Sequence, residues 1–222
     1  MRPAASSIPE PSLRRLPQYH RYLVELQTNG IHLISCSAIG RDLQCLPVQV
    51  RKDLQFTGIV GKPKVGYTVE ELVTAIESFL GWNRVNEAIL VGAGNLGTAI
   101  LGHARFSRFG LEVVAAFDTN PRKIGRRIHG KPVLPLEELA PLARRRSIHL
   151  GIITTPAEAA QNVADEMVKA GIQAIWNFAP LRLQVPEYMI VRNEDLYSSL
   201  ASLSCKLAER FRATNQKNGA LN

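Results

Sequence analysis

The chain has little with which to staple, span or catalyse. Cys36, Cys45 and Cys205 are its three cysteines in 222 residues. They are too few and too scattered for a disulfide framework or a zinc ligand set, and a reducing cytoplasm suits them. No apolar run approaches the roughly 18 residues that a membrane-spanning helix needs. The opening stretch, with Pro3, Ser6, Ser7, Pro9 and Pro11, lacks the apolar centre of a signal peptide and reads as a flexible arm. Acid is short too: 19 Asp and Glu stand against 27 Lys and Arg, a formal charge of +8 that points to an anionic partner such as nucleic acid.

What is present falls into two different patterns. Residues 1–64 hold nine Lys and Arg against Glu10, Glu25, Asp42 and Asp53. Leu13, Leu16, Leu23 and Leu26 mark one face of a first helix that stops at Asn29-Gly30, with Pro17 either kinking it or delaying its start. A short helix after Ser35 carries Ile39 and Leu43. A third spans residues 46–56 with Pro47 in its first turn, Val50 and Leu54 inward, and Gln49, Arg51, Lys52 and Gln55 outward. Those four are residue types that reach base edges and phosphates in a major groove. Gly61–Tyr67 has the shape of a wing, where Lys62 and Lys64 suit phosphate or minor-groove contact. Thr68, with Glu71 three residues on, predicts a capping box for a fourth helix ending near Gly81. Trp82–Asn86 reads as a linker.

From Glu87 the pattern becomes βαβ. A buried strand, Ala88–Val91, runs into Gly92-Ala93-Gly94-Asn95-Leu96-Gly97, and a helix follows through about Phe106. The next strand, Val113–Phe117, ends at Asp118. This is the context that a GxGxxG loop needs to count as a dinucleotide fingerprint. Gly92 would make the tight turn, Gly94 would let the backbone approach a pyrophosphate, and Gly97 would allow close helix packing. Asp118 would accept from the adenosine ribose hydroxyls and repel a 2′-phosphate, favouring NAD(H) over NADP(H); Arg122 and Lys123 lie close enough to soften that preference. Further strands at Ile148–Thr154 and Gln173–Asn177, with helices near 136–143 and 157–170, complete a doubly wound parallel sheet. Arg144-Arg145-Arg146 reads as a solvated helix end.

Catalytic equipment is sparse. Of His20, His32, His103, His129 and His149, only His103 falls near a cofactor by sequence logic, and no second domain offers a substrate pocket. Residues 193–212 form a last helix with Asn193 as its cap. Its stripe of Leu196, Leu200, Leu203, Leu207 and Phe211 could pack on the chain's own sheet or dock on a partner subunit. The domains expected are a winged-helix DNA-binding head over 1–84, a Rossmann NAD(H)-binding domain over 85–192, and a C-terminal helix and tail over 193–222. Two readings compete with a DNA-binding sensor: a small NAD-dependent oxidoreductase with a basic appendage, and a DNA-binding regulator sensing another nucleotide such as a CoA derivative.

Several motifs in order resemble the Rex family of bacterial redox-sensing transcriptional repressors. They are Leu13-Arg14-Arg15-Leu16-Pro17-x-Tyr19-x-Arg21-Tyr22-Leu23, Gln49–Leu54, Gly66-Tyr67, Gly92–Ala99, Phe117-Asp118, Thr155-Pro156-Ala157 and Asn177–Pro180. The resemblance implies a cytoplasmic homodimer of winged-helix heads and Rossmann domains, joined by swapped C-terminal helices. It implies binding to an inverted-repeat operator when NADH is scarce and release when NADH, in competition with NAD+, binds. Asp195 matches the family's aspartate on the swapped helix, and Arg21 its arginine partner. His103 departs from the family's usual tyrosine at that switch; an imidazole can make the same bond and would add pH sensitivity. Thr155, Pro156 and the facing last helix are candidate walls at the nicotinamide end.

Overall fold

The computed structural model describes residues 8–63 and 65–219, the side chains of Leu196 and of 213–219 excepted. The expected arm at residues 1–7 and the wing residue Lys64 lie outside the described residues. The chain divides into two compact units: one takes the residues through Val85 and also Ser107–Gly110, the other takes Asn86–Phe106 and everything from Leu111 onward.

In the first unit, α1 (Glu10–Thr28) continues through Pro17 as one helix. Leu16, Tyr19 and Leu23, on either side of that proline, are fully buried in the core of this unit. Burying each is worth about 1.5–3 kcal/mol, so together they outweigh the roughly 3 kcal/mol cost of an internal proline. β1 (Leu33–Ile34) leads into α2 (Cys36–Asp42), whose Ala38 amide is capped by Ser35 Oγ at 3.1 Å. Then come α3 (Pro47–Gln55), β2 (Tyr67–Thr68) and α4 (Val69–Leu80). β1 and β2 pair antiparallel, and a Lys62–Gly66 bridge closes the wing.

The capping box expected at Thr68 does not form. Thr68 is pinned as an extended strand residue opposite Leu33, and the Val69 amide donates to His32 O at 2.9 Å instead. Trp82 is no free linker either: its ring meets Phe109 at 4.7 Å and His20 at 5.1 Å. That explains why Ser107–Gly110, expected to belong with the second domain, packs with the first.

The second unit holds β3 (Asn86–Val91), α5 (Asn95–Leu101), a 3-10 turn entered at Ala104, β4 (Leu111–Phe117), β5 (Arg127–Ile128), β6 (Lys131–Leu134) and α6 (Leu139–Arg146). β7 (Leu150–Ile153), α7 (Ala157–Ala170), β8 (Ala174–Asn177), β9 (Ile190–Asn193) and α8 (Leu196–Gly219) follow. The strand order is β5-β6-β4-β3-β7-β8-β9, parallel except for the β5–β6 hairpin. Successive residues of a strand face opposite sides. Ile89 and Val91 therefore enter the core with Leu139 and Met167 of α6 and α7, while Ala88 and Leu90 enter another with Ile100 and Leu101 of α5. This is the doubly wound sheet that the sequence pattern implied.

Three local expectations are corrected. The helix after the glycine loop stops at Leu101, capped by Gly102, and does not reach Phe106. The β5–β6 hairpin was not foreseen; His129 and Gly130 turn it with φ of 48° and 78°, a two-residue turn with both torsions positive. Asn193 is not a helix cap but the last residue of β9, paired with Asn177. The cap of α8 is Asp195, whose Oδ1 accepts from the Ser198 amide at 2.9 Å, and the helix runs on to Gly219 rather than ending near 212.

Candidate nucleotide and DNA sites

β3 and β7 sit side by side with their crossover helices on opposite faces, so the chain's direction of winding reverses between them. A crevice at the carboxyl ends of two such strands is where open α/β sheets take ligands. The glycine loop is there. Gly92 has φ of +103°, and a Cβ on it would lie 2.8 Å from the Thr154 carbonyl. On Gly97 a Cβ would lie 2.0 Å from Gly92 O. Thr154 Oγ1 ties the turn by donating to Gly92 O at 2.7 Å. These two glycines are therefore required by the protein itself.

Gly94 is different. Its φ of −80° and ψ of −165° suit any residue, and a Cβ there would meet nothing within 4 Å. The space that Gly94 keeps clear faces outward, where an approaching phosphate would need it. Asn95 and Leu96 open α5 beside that space. Across the crevice Thr155 Oγ1 is buried with no hydrogen-bond partner among the described residues. Such an orphan hydroxyl costs stability unless something else satisfies it, and Pro156 holds it at the mouth of α7. The residues present thus fit a dinucleotide.

Asp118, one residue past β4, touches the loop directly. Its Oδ2 accepts from the Ala93 amide and from Lys123 Nζ, both at 2.9 Å, and its Oδ1 accepts from the Asn120 amide at 2.8 Å. Partial burial pushes the carboxyl up, but Lys123 and the two amides outweigh it and hold the group below the usual carboxylate range. It is ionised at neutral pH and placed to receive ribose hydroxyls. Lys123, paired to it, offsets part of the repulsion that a ribose phosphate would meet.

A second feature lies in the Asn177–Pro180 motif. Asn177, wholly buried, donates to the carbonyls of Leu181 (2.9 Å) and Ala179 (3.3 Å) and to Asn193 Oδ1 (2.9 Å), and accepts from the Ala179 amide. It folds Phe178–Arg182 into one wall of a cleft whose other walls are Leu96 and the start of α8, with Asp195, Tyr197 and Leu200. A polar residue amid an apolar strand pattern was the available signal. Farther along α8 the described apolar residues are exposed: Leu203 is 65% exposed, and Leu207 and Phe211 are likewise exposed. This part of the stripe does not pack on the chain's own sheet.

Each residue assigned to the switch has its own local setting. Asp195 is engaged at its own helix start with Ser198, which holds its carboxyl below the usual range. His103 lies exposed just after α5, its ring edge on Phe106 at 4.7 Å, and Arg21 is exposed on α1.

In the first unit, α3 is anchored by one buried carboxylate. Asp53 is 1% exposed. It receives Arg15 in a two-pronged bond (2.7 and 2.9 Å) and the Tyr19 hydroxyl at 2.8 Å. Burial alone would raise Asp53, but Arg15, Ser12 and Tyr19 hold it below its ordinary value. In the amide orientation that satisfies both groups, Gln49 Oε1 accepts from the same guanidinium at 3.0 and 3.2 Å. Gln49, expected to face DNA freely, is thus already partnered. Arg51, Gln55 and Lys62 line a common cleft between α3 and the wing, with Lys52 on the helix's outer side.

Known proteins align with both halves of this picture. Residues 7–55 match the model of a putative DNA-binding protein N-terminus, and residues 83–181 that of a CoA binding domain. The redox-sensing transcriptional repressor Rex of Treponema denticola is 47% identical over 193 residues, which cover 87% of this chain and 92% of that one. The crystal structure of RSP in complex with β-NAD+ and operator DNA aligns with a TM-score of 0.89 at 37% identity, over 96% of this chain and 98% of that one. That of RSP in complex with β-NADH aligns with a TM-score of 0.84 at 36% identity, over 95% and 99%. The chain belongs to the Rex family of redox-sensing transcriptional repressors, a family of regulators and not of enzymes.

Proposed function

We propose that this chain, as a homodimer, holds an inverted-repeat operator through α3 and the wing and lets it go when NADH occupies the glycine loop. The observation that carries the nucleotide half is Gly94, a glycine that nothing in the protein's own packing demands. Asp118 selects the nucleotide: its carboxylate suits free ribose hydroxyls and opposes a phosphate on either of them, which disfavours both NADP(H) and the 3′-phosphorylated ribose of a CoA derivative. Gly92–Gly97, Asp118 and Lys123 all address the adenosine half, which the oxidised and reduced nucleotides share. They cannot tell the two apart.

Discrimination belongs to the other end. The cleft shaped by Asn177 includes the start of α8; together with Thr155 and Pro156 it is proposed to take the nicotinamide, and a second α8 laid there would make that end dry. A neutral dihydronicotinamide enters such a place at lower cost than a cationic ring. The nucleotide then shifts the dimer only by the difference between its affinities for the two shapes. Asp195, His103 and Arg21 are proposed to meet across the dimer. On DNA, Arg51, Lys52 and Gln55 address bases and phosphates, Lys62 and Lys64 the backbone beside them, and Gln49 acts through Arg15.

The experiment is a fluorescence-anisotropy titration of the full chain on an inverted-repeat duplex. NADH is expected to release the duplex, while NAD+, NADPH and CoA at equal concentration leave it bound. Undiminished binding at saturating NADH would remove the sensor reading.

A further inference from the structure

The helix α3 has an inward stripe of Val50, Asp53 and Leu54. At 3.6 residues per turn the pole opposite that stripe falls on Val48, Lys52 and Gln55, spaced i, i+4, i+7. Gln49 lies to one side with Arg15, and Arg51 to the other in the cleft with the wing. The middle of the outward face therefore begins with a valine, in the first turn of the helix, 62% exposed. Leu46, the residue before α3, is exposed as well. A β-branched apolar side chain at an outward helical position neither favours the helix nor contributes to the core. Isolated exposed valines are ordinary; this one stands beside Lys52 and Gln55 where the first residues of a recognition helix meet base edges.

Major-groove base edges present donors, acceptors and one apolar group, the C5-methyl of thymine. We propose that Val48 reads a thymine methyl in each half-site, the apolar element of a contact whose polar elements are Lys52 and Gln55. This rests on the reading that α3 enters the major groove. It adds a base-specific residue to a face whose remaining members are cations and amides, and it names the chemical group recognised.

The test begins by selecting duplexes from a randomised pool with the full wild-type chain. Each thymine of a selected half-site is then replaced, in both half-sites together, by deoxyuridine, which removes only the methyl. Dissociation constants are measured for wild type, Val48→Ala and Leu46→Ala. One position is expected to weaken wild type by roughly fourfold per half-site, the equivalent of one methyl group buried. Val48→Ala should lose a similar factor on the thymine duplex, show no further loss on the deoxyuridine duplex, and melt at or above the wild-type temperature. Leu46→Ala should keep the deoxyuridine effect. The inference is overturned if no single replacement weakens wild type, if Val48→Ala suffers the same penalty as wild type, or if Leu46→Ala is the variant that cancels it. A pool that yields no preferred sequence overturns the DNA reading itself and this inference with it; sequence preference without the Val48 coupling overturns this inference alone.

Discussion

The glycine loop and the last helix of this chain are opposites. At Gly92–Gly97 every constraint closes within one subunit: Thr154 ties the turn, Asp118 meets the Ala93 amide, and Gly97 seats α5 against Gly92. Along α8, Leu203, Leu207 and Phe211 are exposed. On the function proposed above, a single subunit would grip the shared half of NADH and NAD+, and a second α8 would supply the surface that tells them apart. The proposal thus puts the two tasks of a redox sensor in two places, the grip in the fold and the choice in the assembly.

Three perturbations should break or sharpen that contrast. The largest acts on the helix. Leu203→Asp with Leu207→Asp removes four apolar side chains from a symmetric dimer, at about 1.5 kcal/mol or more each. Sedimentation equilibrium should show the dimer dissociation constant rise by about four orders of magnitude or more, with the sheet's circular dichroism unchanged. A double variant that stays dimeric at wild-type concentrations counts against α8 as the joining surface.

A smaller effect separates the glycines. Gly97→Ala forces a Cβ into Gly92 O and should lower stability by about 1–3 kcal/mol, as overpacking does. Gly94→Ala meets no protein atom, so its melting temperature should hold while NADH binding, followed by calorimetry, weakens by roughly tenfold as the methyl occupies space meant for phosphate. Loss of stability in Gly94→Ala, without loss of binding, would mean that the loop's openness serves the fold alone.

The smallest is a matter of pH. Asp118 has a lowered carboxyl value in the folded chain. Its contribution is therefore complete above the unfolded-state value, about 3.9, and is lost as pH falls from there through the folded value. Chemical denaturation from pH 6 to pH 3 should show this slope in wild type and a shallower one in Asp118→Asn. Equal slopes would place the acid sensitivity elsewhere.

Much of this was legible in advance because local chemistry repeats in the sequence. The loop, Asp118 and the leucine stripe each announce themselves by spacing, and the βαβ rhythm gives the sheet. The exposed edge strand β9, with only Val191 half-covered, offers no alternation to read. The β5–β6 turn uses His-Gly where Asn-Gly would have been a plainer signal. The cap of α8 was misplaced by two residues because Asn193 and Asp195 are both capping types, and only the pairing of Asn193 with Asn177 decides between them. Ser107–Gly110 joins the first unit through ring contacts to Trp82 that no periodicity encodes. Nor could sequence show that Gln49 is held by Arg15, since that depends on α1 lying beside α3.

The central claim, that the grip belongs to the subunit and the choice to the dimer, is tested most directly by titrating NADH and NAD+ into wild type and into the Leu203→Asp, Leu207→Asp double variant by calorimetry. Wild type is expected to bind NADH far more tightly than NAD+, and the monomeric variant to bind both still, with affinities within a few-fold of each other. A monomer that keeps the wild-type preference for NADH would contradict it.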